Sequence, residues 1–357
     1  MFGPSLSLGK FFGIPVRIHW TFSLLLLWAA FSNFSLSGSL VVAIISMVFL
    51  AVIFGCVVLH ELGHSLTARH FGIGTRSITL SPLGGIAALE GNPKTWKEEF
   101  WITVAGPAVN AVIALLMIPV VIVVAPLSPV LAEPFTTVGS FVLMILVANL
   151  MLVFFNLIPA FPMDGGRIFR SLLWTQMDRA RATNIAARTG QAFAVLLGVF
   201  GLFFSPVLAF ISIFVFFAAG VERRSVMMEE SLTGMTVHDA MRNSFLTVND
   251  HASVYEALDL ALRSGQESFP VMRGETLVGM VDLPKLVEAR QRGFGHHPVA
   301  EILDTNISPL SPGDGLMKAL QAMQKSGRET LPVTLGSRLV GMLPRGSILS
   351  MQMFRGA

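Results

Sequence analysis

The sequence predicts a polytopic α-helical membrane protein with about six transmembrane helices and short membrane-associated β-hairpins, followed by a C-terminal α/β domain. Three observations predict it. Of 357 residues, 53% are hydrophobic and 13% are charged, unlike the composition of a soluble protein. Long apolar runs continue to about Gly220, and charged residues then return at ordinary density. The part beyond Gly220 also contains an internal repeat.

The expected spans are runs near the ~20 apolar residues that cross a bilayer. They cover residues 18–34, 39–66, 100–126, 137–158, 188–204 and 206–221. The even number places both termini on one side, and the connections on the opposite side carry no Lys or Arg. The basic residues on the terminal side are Lys10, Arg17, Arg69, Arg76, Lys94, Lys97, Arg167, Arg170, Arg179, Arg181, Arg188, Arg223 and Arg224. By the positive-inside rule we expect a multi-pass protein of the cell (inner) membrane, with cytosolic termini and C-terminal domain.

The second span contains the sequence His60-Glu61-Leu62-Gly63-His64. Two histidines at i and i+4 project from one face of a helix and can both bind a single Zn²⁺, with Glu61 beside the metal as a general base. An ionisable cluster inside a span is costly and usually functional. The motif therefore predicts a metal site within the bilayer, with peptidase chemistry.

A catalytic zinc needs a third protein ligand and one open position. The best candidate is Asp164, which follows the stretch Asn156-Leu157-Ile158-Pro159-Ala160-Phe161-Pro162-Met163 at the end of a span. Prolines and glycines there unwind the helix, as is tolerated where backbone lines a cavity. A helix cap before Gly165 is the alternative role for Asp164. The rival carboxylates are Glu90, Glu98, Glu99 and Asp178.

Between the second and third spans, residues 75–91 alternate β-prone stretches with Pro and Gly. They predict one or two short hairpins at the membrane surface. An unpaired strand edge around Gly84 and Gly85 could hold an extended peptide by backbone hydrogen bonds. An ordinary surface loop is the alternative.

The repeat in the C-terminal part has a period of about 62 residues, which suits two copies of a small α/β module. Gly265 to Val271 realigns with Gly327 to Val333, for example. The hydrophobic pattern of each copy predicts an amphipathic helix, at 254–263 in the first and 315–325 in the second, followed by two short strands. We expect domains at 1–224, 232–292 and 296–357.

Cysteine and charge exclude other classes. The lone Cys56 rules out an internal disulfide framework and a multi-cysteine metal site. The net charge of +3 is better explained by membrane topology than by nucleic acid, so no nucleic-acid partner is expected.

The motifs closely resemble those of the site-2 protease family of intramembrane zinc metalloproteases. The resemblance rests on the His60 to His64 motif, the Gly84-Gly85 loop, Gly106-Pro107-Ala108-Val109-Asn110 and the Asn156 to Asp164 stretch. It implies one zinc per chain held by His60, His64 and Asp164, with Glu61 as the catalytic residue. It also suggests that Asn156, and less strongly Asn110, positions substrate or stabilises the oxyanion.

The C-terminal part resembles a pair of cystathionine-β-synthase (CBS) domains, as in one branch of that family. In nucleotide-binding copies, a hydroxyl residue and an aspartate three positions on commonly hold a ribose. The corresponding positions here are Asp282 and Lys285, and Pro344 and Ser347, so neither copy keeps the pattern. An adenine nucleotide at the pair and a homodimer through it both remain open.

The sequence therefore predicts an intramembrane zinc endopeptidase that cuts in or near transmembrane segments of single-span membrane proteins. The alternative is a CBS-gated cation transporter or channel that uses the same His/Glu/Asp cluster. A transporter is expected to show repeated membrane halves, which this sequence lacks. A catalytically dead scaffold is disfavoured because the ligand set and Glu61 are intact.

Overall fold

The computed structural model describes residues 5–82, 84–131 and 133–355. It divides into two compact units, 1–224 and 225–357. The helices of the first unit are α1 (Thr21–Ser37), α2 (Leu40–His70), α3 (Trp96–Val124), α4 (Val138–Leu157), α5 (Asp164–Leu173), α6 (Arg179–Phe204) and α7 (Pro206–Leu232), the last of which continues into the second unit. Its strands are β1 (Ser5–Phe11), β2 (Ile14–His19), β3 (Thr75–Ser81) and β4 (Gly84–Leu89).

Among the described residues, five helices are long and apolar enough to cross a membrane: α2, α3, α4, α6 and α7. The first expected span forms α1, which has only 17 residues. At 1.5 Å per residue it is about 26 Å long, less than the ~30 Å hydrocarbon core. Apolar side chains such as Leu196, Phe203 and Phe210 project outward along α6 and α7, as lipid-facing residues do. The first unit is thus a multi-pass membrane domain.

A four-stranded sheet packs beside these helices in the order β1-β2-β3-β4. The pairs β1–β2 and β3–β4 are antiparallel, and β2 runs parallel to β3. The expected hairpin at 75–91 is therefore present, but the β1–β2 hairpin was not anticipated. Val16 and Ile78 of the sheet are buried against Leu62 of α2, between the two histidines of the motif. The sheet is thereby fixed against the helix that carries the candidate metal ligands.

The second unit contains the two repeat copies. Its helices are α8 (Val237–Ala240), α9 (Val254–Ser264), α10 (Leu283–Gln291), a 3-10 turn (Val299–Glu301), α11 (Leu316–Ser326) and α12 (Arg345–Arg355). Its strands are β5 (Val248–Asn249), β6 (Ser268–Arg273), β7 (Thr276–Asp282), β8 (Thr330–Leu335) and β9 (Arg338–Pro344). The helices α9 and α11 lie where the sequence predicts them, and each is followed by an antiparallel strand pair.

The two copies exchange their first elements. Val237 of α8, at the start of the first copy, is buried in the hydrophobic core formed by Leu316 and Leu331 of the second copy. Val299, its equivalent in the second copy, is buried in the core around Leu258 of the first. The sequence repeat and the packed core are therefore different units, and neither copy has a complete core without the other.

This exchange predicts which side chains are energetically coupled. Leu258 and Leu320 are equivalent in the repeat and nearly equally buried, but only Leu320 shares a core with Val237. We expect Val237→Ala and Leu320→Ala to show a coupling free energy of about 0.5 kcal/mol or more in a double-mutant cycle, as residues of one cluster do. The measurement is urea-dependent pulse proteolysis of the full-length protein in detergent.

Val237→Ala with Leu258→Ala is the matched control, and these two changes should add within about 0.5 kcal/mol. Stronger coupling of Val237 to Leu258 than to Leu320 would contradict the exchange.

Candidate metal centre

Helix α2 presents His60 and His64 on one face, as the i, i+4 spacing predicts. Their Nε2 atoms lie 3.1 Å apart, and the rings meet edge to face with centroids 4.7 Å apart. Ser39 caps the helix by accepting a hydrogen bond from the Val42 amide, and the helix then runs unbroken for 31 residues through the motif. A continuous helix is what keeps the two imidazoles in register.

Asp164 completes a three-atom cluster with the two histidines. Its Oδ2 lies 3.1 Å from His60 Nε2 and 3.3 Å from His64 Nε2. Tetrahedral zinc with bonds of about 2.0 Å separates its ligand atoms by about 3.3 Å. Among the described residues, His60, His64 and Asp164 are the group of His, Cys, Asp and Glu side chains whose ligand atoms converge in this way. The donor set and spacing therefore fit a zinc ion.

The other ring nitrogen of each histidine contacts helix α3. His64 Nδ1 lies 2.7 Å from the carbonyl oxygen of Ile102, and His60 Nδ1 lies 2.6 Å from Asn110 Oδ1. Because these oxygens accept, each Nδ1 carries the hydrogen and each Nε2 has its lone pair free for a metal. Such outer contacts are typical of metal-binding histidines, and they fix both the tautomer and the ring orientation.

Asn110 is itself held from behind. Its Nδ2 donates to Asn149 Oδ1 of α4 at 2.9 Å, and Asn149 Nδ2 donates to the Ile145 carbonyl. Both asparagines are fully buried. A chain of three polar side chains therefore runs from α4 through α3 to His60. The sequence analysis missed Asn149, although a polar residue within the apolar run of α4 was the available signal.

Two glycines allow α3 to approach the site. A Cβ at Gly106 would overlap His64 Nε2 and lie 2.7 Å from His60 Nε2. A Cβ at Gly63 would lie 2.8 Å from the Ala105 carbonyl oxygen. Any larger residue at either position would separate α2 from α3, so the glycine of each motif has a steric role beside the ligands.

Glu61 faces the sheet edge. A Cβ at Gly85 would lie 2.6 Å from Glu61 Cγ and 3.2 Å from Oε1, so β4 crosses directly over this carboxylate. The other edge of β4 pairs with no strand in the part of the chain that the structure describes. The candidate base thus lies directly beside a strand with an open edge.

The segment before Asp164 leaves α4 at Ile158 and packs tightly on α5. A Cβ at Gly165 or Gly166 would collide with the backbone of Leu157 or Ala160. Phe161 is fully buried against Ala186, Ala187 and Ala219 of α6 and α7. Asp164 follows the N-cap residue Met163 and is itself the first residue of α5. Its carboxylate instead lies with the histidines, which favours the ligand role over the cap.

The rival carboxylates lie elsewhere. Glu99 is paired with Arg170, the Glu98 carboxylate accepts from the Lys94 amide, and Asp178 caps α6. Glu90 is exposed after β4 and lies against Gly74. Asn156 lies in the last turn of α4 and is partly exposed.

Two family models match the chain. The model described as Peptidase family M50 matches residues 48–197, which include the metal cluster, and a CBS domain model matches residues 237–292. A zinc metalloprotease of Methanocaldococcus jannaschii is 32% identical over 97% of this chain and 95% of its own length. The protein Rip3 of Mycobacterium tuberculosis is 29% identical over 95% of this chain and 90% of its own length.

Among solved structures, a site-2 protease from Methanocaldococcus jannaschii is 34% identical and covers 62% of this chain and 95% of its own, with a TM-score of 0.46. The relatives that align over nearly the whole length are zinc metalloproteases, in agreement with the sequence motif and with a cluster whose geometry suits zinc. This chain belongs to peptidase family M50, the site-2 proteases, and is a membrane zinc metalloprotease with a C-terminal CBS domain.

Proposed function

We propose that this protease is an intramembrane endopeptidase that hydrolyses peptide bonds in or near transmembrane segments of single-span membrane proteins. The observation that carries the proposal is the position of the His60, His64 and Asp164 cluster. Two of the three ligands lie on α2, a helix of membrane-spanning length and composition. A protease built this way meets substrates whose cleavage sites are themselves in or beside the bilayer.

In this proposal His60, His64 and Asp164 hold the zinc and Glu61 moves the proton. Zinc, when bound, supplies Lewis-acid activation of water and of the scissile carbonyl. Glu61 accepts the proton from the attacking water and returns it to the leaving amine, as a general base and then a general acid. Asn110 is assigned to orienting His60 rather than to binding substrate, because both ends of its buried carboxamide are already bonded. Asn156 is kept as the group that holds substrate or the oxyanion.

A substrate segment must be extended before its carbonyls can be attacked, since a helix hides them in its own hydrogen bonds. The open edge of β4 is the proposed place for that segment. Gly85 allows β4 to pass close to Glu61, and a strand added at the open edge would receive backbone hydrogen bonds from the strand that lies against this carboxylate. The mode is β-strand addition to an existing sheet.

The CBS pair is proposed to lie in the cytosol and to serve regulation or dimerisation. A cleft of about 420 Å³ lies between its copies, with Arg242, Gln266 and Pro344 in its lining. The repeat-related region carries Arg328, which forms ion pairs with both Asp282 and Asp304. The pKa of Asp304 lies below its ordinary value, because the Asn306 amide donates to it and Arg328 lies beside it. The charged bridge closes this second region, so one adenine nucleotide per pair is the proposed limit.

The catalytic proposal predicts that Glu61→Gln retains zinc and loses cleavage. Removing a positioned general base costs about 100-fold or more in rate, whereas the three metal ligands are untouched. The measurement is cleavage of a panel of single-span substrates in liposomes, with zinc content determined on the same samples.

Glu133→Gln, at an exposed carboxylate in the connection between α3 and α4, is the matched control and should cleave as the unaltered protein does. Cleavage by Glu61→Gln at the unaltered rate, with equal zinc, would contradict the role of Glu61.

The strand-addition proposal predicts a period of two along the substrate. In a strand paired on one side, alternate N–H groups face the partner. Methylating the backbone nitrogen of successive substrate residues near the cleavage site should therefore raise KM at alternate positions and leave the others nearly unchanged. A uniform effect, or none, would argue against binding at the β4 edge.

The nucleotide proposal predicts one AMP per chain in isothermal titration calorimetry of the full-length protein. Arg242→Ala should weaken binding, since this cation faces the open cleft and suits a phosphate. Arg338→Ala, at an exposed cation at the start of β9, should not. Two sites per chain would contradict the closed second region, and no binding would leave dimerisation as the proposed role.

A further inference from the structure

Arg170 is a buried cation between two carboxylates of different helices. Its Nε and Nη2 both donate to Glu99 Oε1 of α3, the Nε bond at 2.8 Å, and its Nη1 donates to Glu222 Oε1 of α7 at 3.2 Å. The side chains of Arg170 and Glu99 are only 5% and 3% exposed. Ion pairs this deeply buried in a membrane domain are expensive and usually have a function.

The helix that carries Arg170 also carries a candidate metal ligand. Asp164 is the first residue of α5 and Arg170 lies near its end. The Arg170 guanidinium also lies over the ring of Phe161, 5.1 Å from its centroid. Phe161 belongs to the segment that leads into Asp164 and is fully buried. Arg170 therefore fixes both α5 and the segment that precedes it.

The partner on α3 lies in the turn that orients a second ligand. Glu99 is less than one helical turn before Ile102, whose carbonyl accepts from His64 Nδ1. One turn of α3 thus holds His64 through a backbone carbonyl and α5 through a carboxylate. The distance between His64 and Asp164 depends on that shared turn.

We propose that Arg170 is a positioning residue for the zinc site: through Glu99 and Glu222 it holds α5 so that Asp164 reaches His60 and His64. The inference rests on the proposed assignment of Asp164 as a ligand. This role explains why a costly buried cation is present. Asp164 lies on a short helix that follows a glycine- and proline-rich segment, and such a helix needs an anchor to hold its ligand in place.

The test is the zinc affinity of the purified full-length protein, measured by chelator competition. Arg170→Gln should raise the zinc dissociation constant about tenfold or more, the usual effect of removing a partner that orients a metal ligand. The zinc affinity of Arg170→Lys should lie between that of the unaltered protein and that of Arg170→Gln, since lysine keeps the charge but loses the paired donors to Glu99. Arg167→Gln is the matched control on the same helix, where the arginine is exposed, and should keep the original affinity.

A second variant separates positioning from folding, because Arg170→Gln leaves the buried Glu99 carboxylate without its cation. Glu99→Met with Arg170→Met replaces the pair by apolar side chains, which generally preserves stability. We expect its thermal midpoint to match the unaltered protein while the zinc affinity falls as in Arg170→Gln. A zinc affinity equal to that of the unaltered protein in this folded variant would overturn the inference.

Cobalt substitution and Asp164→Asn distinguish failure of the inference from failure of the site assignment. With Co²⁺ in place of zinc, Arg170→Lys should alter the visible absorption bands, which report ligand geometry, and Arg167→Gln should not. Asp164→Asn should lower zinc affinity at least as much as Arg170→Gln. If Asp164→Asn binds zinc normally, the ligand assignment itself is wrong. If it loses zinc and the Arg170 variants do not, only the positioning role fails.

Discussion

The close approach of α2 and α3 is the constraint on which the site depends. Gly63 and Gly106 allow the two helices to lie very close together. A side chain at Gly63 would strike the backbone of α3, and one at Gly106 would strike the two imidazoles. At that separation α3 can reach both histidines, through the Ile102 carbonyl and the Asn110 carboxamide. Water is scarce in such a place, so each polar atom needs a partner within the protein. Helix α3 supplies those partners without supplying a ligand.

Much of the site could be predicted from the sequence because its chemistry is carried by side chains at fixed spacing. The histidines and Glu61 follow from one helical turn, and Asp164 follows from a proline- and glycine-rich break in an apolar run. The contact of Ile102 could not be predicted, since a backbone carbonyl has no signature in the sequence. The role of Asn149 could not be predicted for another reason. It depends on the packing of α4 against α3, which brings Asn149 to Asn110, and the apolar run that forms α4 does not reveal that packing.

Arg170 has a role in the structure that the positive-inside rule does not describe. It was counted among the basic residues that orient the chain, as Arg167 was. The structure leaves Arg167 exposed and buries Arg170 between Glu99 and Glu222. The rule concerns loops that face water, whereas α5 folds back against the helices. The β1–β2 hairpin was not anticipated, because β2 directly precedes the first expected apolar span. In the structure its residues Ile14 and Val16 are buried against Leu62 of α2.

The exchanged cores of the CBS pair have a consequence for the order in which the chain is made. Val237 leaves the ribosome about 80 residues before Leu316 and about 95 before Leu331, the core residues that bury it. Until those residues appear, Val237 lacks the apolar side chains of the second copy that bury it. The first copy cannot therefore fold as a finished domain during synthesis, and a chain that stops between the copies would expose Val237 and the core around Leu258.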